Sequence, residues 1–301
     1  MTSSGFVSVL LPVFNAGRYL EQAVRSVLDQ THTTFEFVII DDGSTDGSSE
    51  FLARMASMDK RIRLISQENR GLIKTLNRSI EESTGDLVFR MDADDVCERD
   101  RFERQVQYLD HHPECVAVGM HVQIVDPFDR CLRVMTPPLD HEGIDSMGLD
   151  GVGAAIFHPS VCIRRDALLK VGGYHEDYPH AEDVDLFLRL AEVGQLANLP
   201  DVGLRYRVHP SSIGYSQRAK QIQSARKAAS DAYVRRGLPS SEWATSANVD
   251  RNVYQTHLMW AWWALGDGHV NTARHYAWKA LCHKPFDGRS WKLIASALRG
   301  H

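Results

Sequence analysis

Cysteine is scarce and scattered in this 301-residue chain: Cys97, Cys115, Cys131, Cys162 and Cys282 are the only five. No Cys-x-x-Cys pair is among them, which removes a zinc ribbon or a dithiol redox centre and leaves reduced, mostly buried thiols. Long apolar runs are absent too. Nothing approaches the roughly 20 residues that span a bilayer, and the run at 7–11 is stopped by Pro12 before it could act as a secretory core. Basic charge is not in excess: 34 Lys and Arg stand against 39 Asp and Glu, a net charge of −5. A nucleic-acid partner therefore has no electrostatic footprint, and the densest basic stretch, 218–236, is diluted by Ala, Ser and Asp and reads as a solvated helix face. Glycine-rich phosphate loops are missing. Neither G-x-G-x-x-G nor G-x-x-x-x-G-K-[ST] occurs, which sets aside dehydrogenases and P-loop NTPases. Where a nucleotidyltransferase would carry a Gly-rich basic loop, this chain has Pro12-Val13-Phe14-Asn15-Ala16-Gly17-Arg18. What remains is a cytoplasmic chain with 43% hydrophobic residues, enough for a sizeable core.

The first hundred residues alternate short apolar, β-branched runs with helix-length amphipathic segments, the pattern of a parallel sheet covered by helices. Strands are expected at 7–11, 35–40, 62–65 and 87–91, with helices at 19–30, 48–58 and 73–82. Each strand runs into a polar cluster: Pro12 to Asn15, Asp41-Asp42-Gly43-Ser44, Gln67 to Gly71, and Asp92 to Asp95. Ligands of open α/β sheets bind beyond the carboxyl ends of the strands, so all four clusters belong on one rim.

The last cluster is the most telling. Asp92-Ala93-Asp94-Asp95 places three carboxylates in four positions, and such groups raise one another's proton affinity unless a cation sits among them. Hard oxygen donors suit Mg²⁺ or Mn²⁺, which take one or two protein carboxylates and fill other positions from substrate phosphates. A surface turn with Asp side chains on local amides is the alternative that spacing alone leaves open.

Further on, a helix is expected at 101–110, strands near 116–125, and a looser Asp-, Gly- and Pro-rich region at 127–153 that could form a loop over the site. A strand at 160–164, helices at 166–171 and 182–192, and a strand at 202–208 follow, ending in His209-Pro210-Ser211-Ser212. Beyond about Tyr215 strand signals vanish, and helix formers appear with Trp243, Trp260, Trp262, Trp263, Trp278 and Trp291. A boundary there divides the chain into 1–215 and 216–301, the first part having a nucleotide-binding half to about residue 100 and an acceptor half after it. The stretch from Leu265 to Pro285 resembles the second half of a tetratricopeptide repeat, although one copy makes only a helical hairpin.

The ordered set of motifs resembles the family-2 glycosyltransferases of the GT-A fold. It comprises Val7 to Asn15, Ser26-Val27-Leu28-x-Gln30-Thr31, Ile40-Asp41-Asp42-Gly43-Ser44-x-Asp46-Gly47, Asn69-x-Gly71 with Asn77, Gly85-Asp86, Asp92-Ala93-Asp94 and Glu182-Asp183-x-Asp185-Leu186. The resemblance covers about 6–212. It implies an α/β, Rossmann-like fold with a mainly parallel central sheet flanked by helices, followed by an all-helical C-terminal extension. It also implies inverting transfer of a sugar from a nucleotide-sugar donor, read as a UDP-sugar, to a glycan or glycolipid acceptor in cell-surface polysaccharide or glycolipid synthesis.

Roles follow residue by residue. Pro12, Phe14 and Asn15 border the nucleotide pocket, with Phe14 against the base, and Asp42 accepts from the uracil imide N–H. Lys74 lies near the donor phosphates. Asp94 is the metal ligand of a DxD motif, Asp92 and Ala93 contact the donor, and Asp95 supports them; the ion is Mn²⁺ or Mg²⁺. Asp183, 89 residues after Asp94, is the base that takes the acceptor's proton, while Glu182 and Asp185 cap its helix. His209 completes metal or diphosphate contacts, an imidazole being acceptable to Mn²⁺. His158-Pro159-Ser160 and Gly172-Gly173-Tyr174 shape the floor near the sugar. Peripheral membrane or protein contact through the C-terminal helices is compatible with this reading. The alternative from another class is a catalytically inactive scaffold that works through its Trp-rich tail.

Overall fold

In the computed structural model, residues 5–209, 217–239 and 252–300 are described. The four strands expected first are present as β1 (Val7–Val13), β2 (Phe35–Asp41), β3 (Ile62–Ser66) and β4 (Leu87–Arg90), with α1 (Leu20–Leu28), α2 (Ser48–Met58) and α3 (Leu72–Glu82) between them. They lie side by side, parallel, in the order β3-β2-β1-β4. Every residue of β1 and β4 is buried, as a parallel strand covered on both faces requires. The β1–β4 ladder ends at Leu10 opposite Arg90, so Pro12 lies past it and its missing N–H withdraws no bond from β4. Chain order reverses between β1 and β4, which makes their carboxyl ends the crevice of the sheet.

After β4 the sheet turns antiparallel. The chain continues through β5 (Val96–Cys97), α4 (Arg101–His111), β6 (Cys115–Val125), β7 (Cys131–Met135), α5 (His141–Leu149), β8 (Cys162–Arg164), α6 (Arg165–Lys170), α7 (Glu182–Leu190) and β9 (Gln195–Arg207). The helices α8 (Arg218–Arg235), α9 (Val253–Gly266), α10 (Val270–His283) and α11 (Gly288–Arg299) follow. The strand order is β3-β2-β1-β4-β8-β6-β9-β5, with β7 paired to β6. This is the mixed α/β fold with C-terminal helices that the motifs implied.

The chain divides into two compact units, one formed by Met1–His121, Thr136–Leu204 and Lys220–Ala244, the other by Val122–Met135, Arg205–Ala219 and Thr245–His301. In the first, aliphatic side chains from β1, β2, β4 and β8 pack with those of α3, α5, α6 and α7. On α8, Ala225, Ala228, Ala229 and Ala232 bury against Tyr178, Ala181, Val184 and Leu188. The expected solvated face is thus only half of that helix, since alanines at i, i+3, i+4 and i+7 make an inward stripe that the neighbouring arginines obscure in the sequence. The boundary expected near Tyr215, together with Pro210, Ser211, Ser212 and Trp243, lies outside the described residues.

In the second unit the fully buried Asp126 organises the β6–β7 turn. Its Oδ1 accepts from the Phe128 and Arg130 amides at 2.7 and 2.9 Å, and its Oδ2 from Tyr276 Oη of α10 at 2.6 Å. Arg207 donates to the Asp126 carbonyl at 3.2 Å and to Asp129 at 2.7 Å. The Val134 amide of β7 donates to Asp267 at 2.5 Å, and Arg133 lies over the Trp263 ring. The region 127–153 is accordingly no loose loop. It holds β7 and the Asp140-capped helix α5, because its aspartates serve as turn and cap acceptors.

Tyr276→Phe removes the hydroxyl that satisfies Asp126. Chemical denaturation should show a loss of about 1–3 kcal/mol, and an unchanged midpoint would show that Asp126 does not depend on that bond.

Candidate active site

The rim loops are held to one another by carboxylates. Asp41 accepts from the Ser44 amide at 3.0 Å and from the Ser49 hydroxyl. Asn15, at φ 51, a left-handed conformation that asparagine tolerates, donates its amide to Ser44 Oγ and accepts from the Thr45 amide at 2.8 Å. The Gly17 amide donates to Asp46 at 2.8 Å. The loops after β1 and β2 therefore form one surface, from which the Phe14 ring stands exposed while Pro12 is buried.

Asp42, buried at the end of β2, accepts from Gln67 Nε2 at 2.6 Å and from the Arg70 and Gly71 amides at 2.9 Å each. Three of about four lone-pair sites on a carboxylate are thus taken, and the loop into α3 is anchored. That loop turns at Gly71, φ 85, and presents Lys74, an exposed side chain 3.5 Å from Glu176.

Arg90 ends β4. Its side chain is buried and forms an ion pair with Asp92; burial opposes its charge, and Asp92, Tyr174 and Asp95 outweigh that penalty and raise its pKa. A second buried guanidinium braces the backbone beneath: Arg101 Nη2 donates to the carbonyls of Arg90 and Val161 at 3.1 and 3.3 Å, and its Nε to Gln105 at 3.0 Å. The turn that follows β4 carries Asp92, Asp94 and Asp95, each offering an oxygen within 4.8 Å of the others. Such a compact set of hard donors fits Mg²⁺ or Mn²⁺. Burial raises the Asp92 pKa, with Arg90 acting against it and Asp94 reinforcing it.

The helix α7 brings the other carboxyls. Burial lifts Asp183 to about 6, opposed by the Val184 amide and by Arg90 and reinforced by Asp92. Burial and then the neighbouring Asp183 carry Glu182 to about 7, and Arg90 again lowers it. Arg90, Asp92, Glu182 and Asp183 therefore act on one another. Tyr174 and His158 belong with them: His158 Nε2 lies 2.6 Å from Tyr174 Oη, burial first and Arg90 second keep the imidazole neutral, and burial raises the phenol. Asn77 of α3 fixes Tyr174 by accepting from its amide at 2.9 Å and donating to its carbonyl at 2.8 Å. Asp185 does not cap α7. It receives Arg189 at 2.6 and 3.0 Å, and Arg189 holds the Val171 and Gly173 carbonyls ahead of Tyr174.

Of the residues singled out from the sequence, Asp92, Asp94 and Asp95 are gathered into one group and Asp183 shares the field of Arg90 with Asp92. Pro12, Phe14, Asn15 and Asp42 lie at the ends of the adjacent strands β1 and β2. Ala93 is in the acidic turn, half-buried. His209, half-buried just past β9, belongs to the second unit. Arg90 carries no motif of its own in the sequence; the sole hint is a guanidinium ending an otherwise apolar strand, and an Arg that is buried there needs partners.

Residues 8–172, more than half the chain, match Glycosyl transferase family 2. The chain belongs to this family and is a glycosyltransferase. Residues 153–236 also match Glycosyltransferase like family 2. Among its relatives, the amylovoran biosynthesis glycosyltransferase AmsE of Erwinia amylovora is 33% identical over 204 residues, 66% of this chain and 75% of that protein. An uncharacterized glycosyltransferase of Haemophilus influenzae is 28% identical over 242 residues, 75% of this chain and 73% of that one. The solved mannosyltransferase PcManGT of Pyrobaculum calidifontis, in complex with GDP-Man and Mn²⁺, superposes with a TM-score of 0.60 at 21% identity, covering 99% of this chain and 88% of that one. Residues 1–349 of S. aureus TarS in complex with UDP give 0.59 at 16% identity, covering 98% and 80%. At these identities the two structures share the GT-A fold with this glycosyltransferase.

A carboxyl held at about 6 is charged at neutral pH against its surroundings, so it stabilises the fold less as pH rises above the ordinary carboxylate range. Metal-free Asp183→Asn should therefore be more stable than the parent at pH 8, by on the order of 1–3 kcal/mol, with the difference gone at pH 4, where Asp183 is protonated. Parallel melting curves at both pH values check this; a variant less stable at pH 8 contradicts the raised pKa.

Proposed function

We propose that this family-2 glycosyltransferase catalyses inverting transfer from a nucleotide-sugar, with Asp183 as the base and Asp92, Asp94 and Asp95 as the seat of a divalent ion. The observation that carries this is the single field in which Arg90, Asp92 and Asp183 act on one another. A base must reach the acceptor hydroxyl while the diphosphate leaves from the opposite face of the sugar, and that needs two carboxylate groups of different roles in one cleft. Asp183, lifted to about 6, accepts a proton more readily than an ordinary carboxylate and is still ionised at pH 7. In the displacement, the acceptor oxygen bonds to the anomeric carbon, its proton passes to Asp183, and the bond to the diphosphate breaks with the electron pair leaving on the phosphate oxygen.

A divalent ion held at the acidic turn would supply positive charge for the departing diphosphate. Asp94 and Asp95 would hold it with Asp92, whose other partner is Arg90. Mn²⁺ or Mg²⁺ suits the donor set, and Mn²⁺ accompanies GDP-Man in the PcManGT structure. The role expected of His209 rests on the resemblance alone. Phe14, exposed at the end of β1, is the ring for the base, with Pro12 and Asn15 beside it. Lys74, exposed on the first turn of α3 after Gly71, is the cation proposed for the donor phosphates. Asp42 has one acceptor position left beyond its three loop donors, and a uracil imide N–H is the donor proposed for it. UDP and UDP-GlcNAc are the ligands of the TarS structures, which supports UDP-sugar as the first donor to test. AmsE, an amylovoran biosynthesis glycosyltransferase, supports a glycan acceptor and polysaccharide synthesis.

A panel of nucleotide-sugars with Mn²⁺ should raise the melting temperature for the true donor and identify the substrate for kinetics. Asp183→Asn should keep donor and metal binding and lose at least about a hundredfold in kcat, whereas Asp94→Ala should lose metal binding and transfer together. Full turnover by Asp183→Asn refutes the base assignment.

The pH profile gives an independent check. kcat/KM should rise with pH as the Glu182 and Asp183 carboxyls, which burial lifts to about 7 and about 6 in the metal-free protein, ionise as an interacting pair, with a bound divalent ion drawing the limb below that range. Arg90→Met should move that limb upward by about a unit or more, and an unmoved limb would separate Arg90 from the base.

A further inference from the structure

The last two helices carry a charge opposite to that of the chain. Between residues 270 and 300 stand six basic residues, Arg274, Lys279, Lys284, Arg289, Lys292 and Arg299, against one acid, Asp287, a net charge of +5 in a protein whose total is −5. The single acid is ion-paired to Arg289 at 2.7 Å.

The same segment exposes large apolar groups. Phe286, at the tip of the turn between α10 and α11, is 100% exposed, and on α11 Trp291 is 55% and Leu298 66% exposed. Trp291, Ala295 and Leu298 recur at i, i+4 and i+7, one stripe of the helix, whereas Ser290, Leu293 and Ala297 are the buried face. The Trp291 indole N–H is already spent on the Pro285 carbonyl at 2.7 Å, so what the ring shows to solvent is hydrocarbon. Lys292 and Arg299, at i+1 and i+8, run along the edge of the stripe, and Lys284 precedes Phe286. Arg274 of α10 holds the end of α11 by donating to the Ala297 and Leu298 carbonyls at 3.0 and 3.2 Å. The stripe is therefore carried on a fixed helix.

Aromatic and leucine side chains flanked by Lys and Arg on a short helix are the composition of a surface that lies in the headgroup region of a bilayer. The apolar groups enter the acyl boundary while the basic heads stay at the phosphates. No helix among the described residues is long and apolar enough to cross a membrane. We infer that α11 and the turn before it dock the protein on an anionic lipid surface. This inference is independent of the transfer mechanism.

Co-sedimentation of the full chain with vesicles tests it, using phosphatidylcholine alone and phosphatidylcholine with one third phosphatidylglycerol. The protein should bind the anionic vesicles at least about tenfold more tightly and lose binding as salt rises. Lys292→Glu should weaken binding about fivefold or more. Phe286→Ser, at a side chain with no intramolecular cover, should weaken it as well while melting temperature and donor turnover stay at the parent value. No binding, equal binding to both vesicle types, or insensitivity to both substitutions overturns the proposal. Light scattering that shows a dimer, broken by Phe286→Ser, together with no vesicle binding, would assign the face to a second copy of the chain and equally overturn it.

Discussion

A buried guanidinium at the end of β4 is the constraint on which the site depends. Taking a charge out of water costs several kcal/mol even after relaxation, so Arg90 can stay buried only with anions around it. Asp92 answers it by contact and Asp95 through space. Once those charges are in place, Arg90 acts alongside burial on the neighbours: burial first and Arg90 second keep His158 neutral, and Arg90 pulls against the burial that lifts Asp183 and Glu182. Position matters as much as charge, and position is supplied from below, where Arg101 holds the carbonyls of Arg90 and Val161 together and the Phe89 and Phe102 rings surround its guanidinium.

The loops after β1 and β2 are built on another principle. There the carboxylates of Asp41, Asp42 and Asp46 are spent on backbone amides of loops, a use that rigidifies irregular segments which cannot satisfy themselves in a ladder. Asp41, Asp42 and Asp46 are thus consumed by the fold, whereas Asp92, Asp94 and Asp95 crowd oxygens within 4.8 Å of one another.

Much of this is legible in the sequence. Apolar runs ending in polar clusters located β1 to β4, because burial on both faces leaves little freedom in composition, and parallel order then places the clusters together. Elements that depend on partners far away in the chain were harder to read. The region 127–153 looks like a loop by composition, yet Asp126 and Tyr276, 150 residues apart, give its turn a buried anchor. The role of Asp185 was misread for the same reason: an acid in the first turn of a helix suits capping, and only the fold reveals that Arg189 claims it. The weight of Arg90 is not legible in the sequence, because its burial is a tertiary fact.

The carboxamide of Asn77 both receives and gives a hydrogen bond on the backbone of Tyr174. Aspartate could accept but not donate, leucine neither, and glutamine would overshoot by a methylene, so position 77 admits a one-letter alphabet. A Cβ at residue 173 would come within 2.7 Å of that same amide oxygen, which bars every side chain larger than hydrogen there. Positions 77 and 173 are thus locked as a pair, and drift in helix α3 is forbidden by a residue nearly a hundred positions further along the chain.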